Sequence, residues 1–289
     1  MATHAESRSI GRHEATDYTV WIEPTRGVSA LQLRDLWRYR ELLYFLTWRD
    51  IKVRYKQTVL GVGWAVLVPV LSVVLFTIVF GHVAHVSSQG VPYPIFSYAG
   101  LLPWNLAAAT LQLATATVVG SAQLMTKVYF PRLFIAISPA LAAVVDFALG
   151  FLVLVGLMAY YGIAPDPVGI FLLPVFLALA LITTVGMSAL LSALNIEYRD
   201  VRFIVPFFIQ FWFFATPVVY STASLNEPWR TIYGINPMVG VVEGFRWALA
   251  GTPAPAWSTA LVSGFAALAA FAGGVYYFLR TERRFADVI

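Results

Sequence analysis

No cysteine occurs among the 289 residues, which excludes disulfides and thiolate-bound metals and leaves no redox mark of compartment. Charge is scarce as well. Asp, Glu, Lys and Arg make up 12% of the chain, about half the share in soluble globular proteins. Hydrophobic residues make up 59%, and the mean hydropathy is +0.74. This excludes an ordinary soluble domain, and the chain reads as an integral membrane protein. Lysine is confined to Lys52, Lys56 and Lys127, none of which follows a glycine, so there is no Gly-Lys-Ser/Thr loop to wrap a nucleotide phosphate. Within the apolar segments the clear ionisable residue is Asp146. A single carboxyl makes a poor catalytic site and suits a contact between helices. His82 and His85 have no carboxylate pair beside them, so neither a catalytic nor a metal site is expected. The first thirty residues hold no apolar run, so no cleavable signal peptide is expected and the N-terminus should stay in the cytoplasm.

Three regions follow from the pattern: a polar tail over 1–30, an amphipathic interfacial helix over 31–57 and a membrane domain over 58–289. In the second, Trp37, Tyr44, Trp48 and Tyr55 fall in a helical stripe about 40° wide. Beside it lie Arg34, Arg38, Arg49, Lys52 and Lys56. Rings in the headgroup layer and cations toward anionic lipid suit a helix lying in the membrane surface. The membrane domain shows six apolar runs, at 61–80, 96–119, 133–161, 168–194, 201–220 and 257–279. The expected fold is therefore an all-α polytopic membrane protein with six transmembrane helices. Seventeen of the nineteen Lys and Arg residues then lie inside, and only Arg230 and Arg246 lie outside. That split puts both termini in the cytoplasm. It also removes the nucleic-acid reading of a chain of net charge +4, because the cations flank apolar spans.

In the fifth run, Phe203, Phe207, Gln210, Phe211 and Phe214 share one helical face. They either pack against neighbours or line a path. Trp212 and Phe213 point elsewhere and should meet protein or lipid. Before the last run, Asn236 can cap a helix that starts at Pro237. Its length of about twelve residues is too short to cross, so a short re-entrant or interfacial helix is expected. Glu243 and Arg246 on that helix sit three apart; they form either a plain ion pair or an outer gate. The inner stretch around Gln123, Lys127, Tyr129, Phe130 and Arg132 can form a short cytoplasmic helix ended by Pro131. With no energy source in the chain, this inner loop and the NIEYRDVR loop are places where a motor subunit can dock.

The run LTWRDIKVRYKQTVLG leading into Trp64, the loop KVYFPR, the stretch ALNIEYRDVR into FWFFATPVVY, and INPM followed by GFRWAL together resemble the permease subunits of bacterial ABC-2 polysaccharide exporters, above all the O-antigen type. The resemblance covers residue 31 to the C-terminus. It implies a homodimer with two copies of a separate ATP-binding cassette subunit in the bacterial inner membrane. ATP and Mg would belong to that partner, and no cofactor to this chain. The implied cargo is a polysaccharide on an undecaprenyl-diphosphate anchor. The path would run between the first and fifth helices of the two copies, with Trp64, Phe207, Gln210, Phe211 and Phe214 as its lining. Sugar C–H faces on rings bind weakly enough to move on. Arg49, Lys52, Arg54 and Lys56 would meet either the diphosphate at the entrance or lipid headgroups. The ATPase would dock at Gln123, Lys127, Tyr129, Phe130 and Arg132 and on the N-terminal helix. An ABC-2 exporter of a small lipid or drug is the nearest alternative. A membrane glycosyltransferase lacks a catalytic acid or His pair here, and a proton-coupled transporter would have to run on Asp146.

Overall fold

The computed structural model describes residues 37–56, 63–120, 130–198 and 200–282. Among them there is no strand. The helices are α1 (Arg40–Tyr55), α2 (Gly63–Phe76, continued as a π-helix over Thr77–Val83), α3 (Tyr93–Gly120), α4 (Phe134–Tyr161), α5 (Pro167–Glu197) and α6 (Val201–Phe214). They are followed by α7 (Trp229–Tyr233), α8 (Pro237–Phe245, continued as a π-helix over Arg246–Ala250) and α9 (Trp257–Thr281).

Local chemistry sets the helix ends. Asp166 caps α5 by accepting from the Gly169 N–H at 2.7 Å, with Pro167 at the first position, where its missing N–H is no loss. Asn236 caps α8 in the same way, accepting from Met238 N–H at 3.0 Å before Pro237. The Asn236 cap and the Pro237 start are as the sequence predicts. α4 stops at Gly162, whose φ of 67° is left-handed, while Ile163 N–H reaches back to Met158 O at 2.9 Å, a Schellman closure.

Among the described residues four helices are long and apolar enough to cross a membrane: Gly63–Val83, Phe134–Tyr161, Pro167–Glu197 and Trp257–Thr281. The remaining two of the six expected runs take other forms. α3 has 28 residues, but it carries Asn105, Gln112 and three threonines and lies largely buried in the bundle. A helix wrapped by protein has less need of lipid-soluble side chains. α6 has only 14 residues, about 21 Å of helix against a core of about 30 Å. Pro69, Pro103, Pro139, Pro174 and Pro206 lie inside α2 to α6, one in each.

α3 packs chiefly on α4 and α5, and α5 on α9. The α5–α9 contact is made backbone to backbone. A Cβ built on Gly274 would stand 2.0 Å from Gly186 O, and one on Gly186 would stand 2.4 Å from Phe271 Cα. Small residues at such a crossing allow close van der Waals packing in lipid. One apolar core gathers Tyr98, Trp104, Trp212 and Phe245. A second joins Leu46 of α1 to Phe130, Phe134, Ile196 and Phe278. α2 is left almost bare, with Val73 its one buried residue among those described.

Candidate functional site

The aromatic face of α6 is open. Phe203, Phe207, Phe211 and Phe214 are 68%, 72%, 66% and 55% exposed, and Gln210 is exposed on the same side. Val205, Ile209 and Trp212 are buried on the opposite side. Trp212 meets Trp104 edge to face with ring centroids 5.6 Å apart, and Phe213 stacks on Phe76 of α2 at 5.8 Å. Both therefore meet protein. The helix is fixed by one side only, and the other side presents four rings and an amide.

Asn236 does more than cap. Its Oδ1 also accepts from Trp212 Nε1 at 2.9 Å, and its Nδ2 donates to Ala215 O at 2.8 Å and Thr216 Oγ1 at 2.9 Å. One side chain thus ties the end of α6 to the start of α8. Tyr233 Oη donates to Ala215 O at 2.7 Å and is hydrogen-bonded to Tyr220 Oη. Burial, reinforced by that bond, holds the Tyr233 phenol well above its usual pKa.

Glu243 and Arg246 are brought near one another on α8, but among the described residues no ion pair joins them. The plain i, i+3 pair is replaced by ties to other segments. Arg246 is 2% exposed. It donates to Phe96 O at 3.1 Å, to Tyr220 O at 2.9 Å and to Val218 O. It also lies 3.8 Å from the Phe96 ring centre, close enough for a cation–π contact. Gly100 makes room for it, since a Cβ there would meet Arg246 Nη2 at 2.9 Å. The Glu243 carboxylate accepts instead from Thr222 Oγ1. Arg246 staples the chain after α6 onto α3.

At the other end, α1 buries Leu46 and Asp50 and leaves Tyr44 and Trp48 outward, with Trp37 just before it outward too. The aromatic stripe is therefore on the free side, except for Tyr55. Tyr55 Oη donates to Asp146, and Arg54 forms an ion pair with the same carboxylate. Asp146 thus makes a contact between helices, from α4 to α1, as the sequence suggests. The four entrance cations do not act as one cluster. Arg54 turns inward to Asp146, and Arg49 pairs with Asp50 at 2.9 Å. Asp50 also accepts from Ser138 Oγ at 3.0 Å. Lys52 and Lys56 are exposed, with Lys52 5.9 Å from the Trp48 ring centre. Burial lowers the Arg54 pKa from its usual value, countered by nearby Tyr55 and Asp50.

Of the inner-loop residues, Gln123, Lys127 and Tyr129 lie outside the described residues. Phe130 is buried among Leu46, Phe134 and Phe278. Arg132 donates to Glu282 O and stands 3.8 Å from the Glu282 carboxylate. Trp64 is 47% exposed at the start of α2, beside the recess that contains Asp146. Sequence reasoning missed the Asn236 hub and the Arg246 staple. Their signal was present as a cap residue and a lone arginine amid apolar neighbours, but their distant partners lie 20 to 150 positions away.

The family model described as ABC-2 type transporter matches residues 41–250. The chain is 31% identical over 217 residues to the O-antigen export system permease protein RfbA of Myxococcus xanthus, covering 74% of this chain and 82% of that protein. A permease of the same name from Klebsiella pneumoniae is 29% identical over 71% of this chain and 79% of its own length. The polysialic acid transport protein KpsM of Escherichia coli is 20% identical over 70% and 78%, respectively.

Proposed function

The chain belongs to the ABC-2 type transporter family, and from this premise we propose that it is the membrane subunit of an ATP-driven exporter of a lipid-linked polysaccharide. The names of the relatives support a glycan cargo of the O-antigen kind. An undecaprenyl-diphosphate anchor and the bacterial inner membrane follow from that class. Energy would come from two copies of a separate ATP-binding cassette subunit holding ATP and Mg, in keeping with the absent phosphate loop. The observation that carries the path is the α6 face: four open phenylalanines and Gln210 on a helix whose other side is bolted to the bundle.

In this reading two copies of the chain face each other across bare α2 and α6, and the glycan slides over Phe207, Gln210, Phe211, Phe214 and Trp64. α3 and α6 complete a six-span topology with α2, α4, α5 and α9, both termini being cytoplasmic. α6 is completed at its outer end by the segment that Asn236 and Arg246 hold. α1 lies at the inner membrane surface with Trp37, Tyr44 and Trp48 toward lipid. Lys52 and Lys56, with Arg49, receive the diphosphate, while Arg54 is held by Asp146. α8 is the re-entrant outer gate, with Arg246 its anchor and the Glu243–Thr222 contact the part that opens. The ATPase docks at Gln123, Lys127 and Tyr129, next to Phe130 and Arg132, which secure that loop to the bundle.

The test is the double variant Phe207→Ala with Phe211→Ala. Surface polysaccharide should fall while the complex still assembles, because both rings are exposed and removing them leaves no cavity. Normal surface polysaccharide in that variant would sink the path assignment.

A further inference from the structure

A recess of about 660 Å³ lies between α2, α3 and α4, with Arg54 and Tyr55 of α1 among the residues lining it. It is separate from the α6 face. Its wall carries polar groups well along the helices: Asp146 is twelve residues into α4, about 18 Å from the helix start, and half-buried. Asn105 and Gln112 line it from α3, seven residues apart and so on one face. Among the described residues neither side-chain amide makes a hydrogen bond to protein, and with Asn105 half-buried and Gln112 exposed both are open to whatever fills the recess. Unmatched amides at membrane depth are unfavourable unless they face water or a polar ligand.

The charge balance narrows the ligand. Arg54 is paired with Asp146, and Tyr55 donates to the same carboxylate, so the recess presents no net cation. An anionic phosphate approaching Arg54 would meet Asp146 beside it. An acyl chain would leave both amides unmatched. A neutral sugar satisfies each requirement. Its hydroxyls both donate and accept toward the amides and the ion pair, and its C–H face can rest on the Trp64 ring at the edge. We propose that this recess is a subsite within each chain for a neutral sugar unit of the exported polymer. The inference rests on the export reading above.

Because the chain has no native cysteine, the substitution Gln112→Cys introduces a single thiol. Membranes would be prepared from cells holding the complete transporter and treated with a small water-soluble methanethiosulfonate. One strain makes the glycan but has an ATPase partner disabled for hydrolysis, and the other makes no glycan. The thiol should react in the glycan-free membranes and several-fold more slowly in the stalled ones, with Asn105→Cys behaving alike. Asn226→Cys, exposed in the outer loop, should react equally in both. Gln112→Leu should lower export about fivefold, as expected for the loss of one hydrogen bond. No reaction in either the Gln112→Cys or the Asn105→Cys variant, or equal reaction in both membranes, overturns the subsite. Surface polysaccharide in a strain deleted for the chain separates the two readings. If deletion leaves it intact, export and subsite both fall; if deletion abolishes it while labelling stays equal, only the subsite does.

Discussion

Arg246 shows what one buried cation does when its partners are carbonyls and a ring instead of a carboxylate. Three backbone oxygens, of Phe96, Val218 and Tyr220, depend on its donors. Replacing it by methionine keeps the stem but leaves those oxygens without that donor, which should cost roughly 3 kcal/mol. Thermal unfolding of the detergent-purified complex would register this as a clearly lower midpoint for Arg246→Met. An unchanged midpoint would remove the staple. The sequence made the site visible only as far as local chemistry reaches. The Asn236 cap and the Pro237 start were legible because both act within a few residues. The pairing of Glu243 with Arg246 was the natural local expectation, yet Thr222 and the carbonyls after α6 outcompete it. Periodicity says which residues share a face and nothing about distant acceptors. Arg54 is a similar case: its neighbours suggested an entrance cation, and Asp146, 92 positions away, claims it.

At the scale of elements, α6 was legible in its faces and not in its length. The 3.6-residue period sorted the open rings from the packed Trp212. The apolar run to 220 nevertheless continues beyond the helix, which ends at Phe214 with the following chain held by Asn236 and Arg246. The crossing of α5 and α9 was not legible, since Gly273 and Gly274 look alike in sequence. They separate in space. A Cβ at Gly274 would collide with Gly186 O, while one at Gly273 meets nothing within 4 Å. Gly274→Ala should therefore destabilise by roughly 1–3 kcal/mol through forced separation of the helices. Gly273→Ala should be neutral or stabilising by up to about 1 kcal/mol from helix propensity. Unfolding curves of the two variants side by side make the comparison. Equal midpoints would mean that the backbones do not touch there.

At the scale of the whole molecule, α2 and one face of α6 are bare, and in the proposed assembly they meet a second copy, while the inner loop is where we place the motor. Burial of Phe130 and the tie of Arg132 to Glu282 give those two residues a role in the fold. Substituting them would confuse loss of docking with loss of structure. The informative variant is Gln123→Ala, Lys127→Ala and Tyr129→Ala together. It should copurify with markedly less ATPase subunit while eluting normally on size exclusion, and undiminished copurification would refute that docking site. The internal prolines then have a mechanical consequence. Each leaves one turn of α2 to α6 without its full set of backbone bonds, whereas α9 contains none and is pressed onto the second half of α5. α9 with the second half of α5 should then form the stiffer flank, and α2 and α6 the more compliant one. A stroke delivered at the inner end should be taken up as bending in α2 and α6, with α9 serving as the beam they bend against.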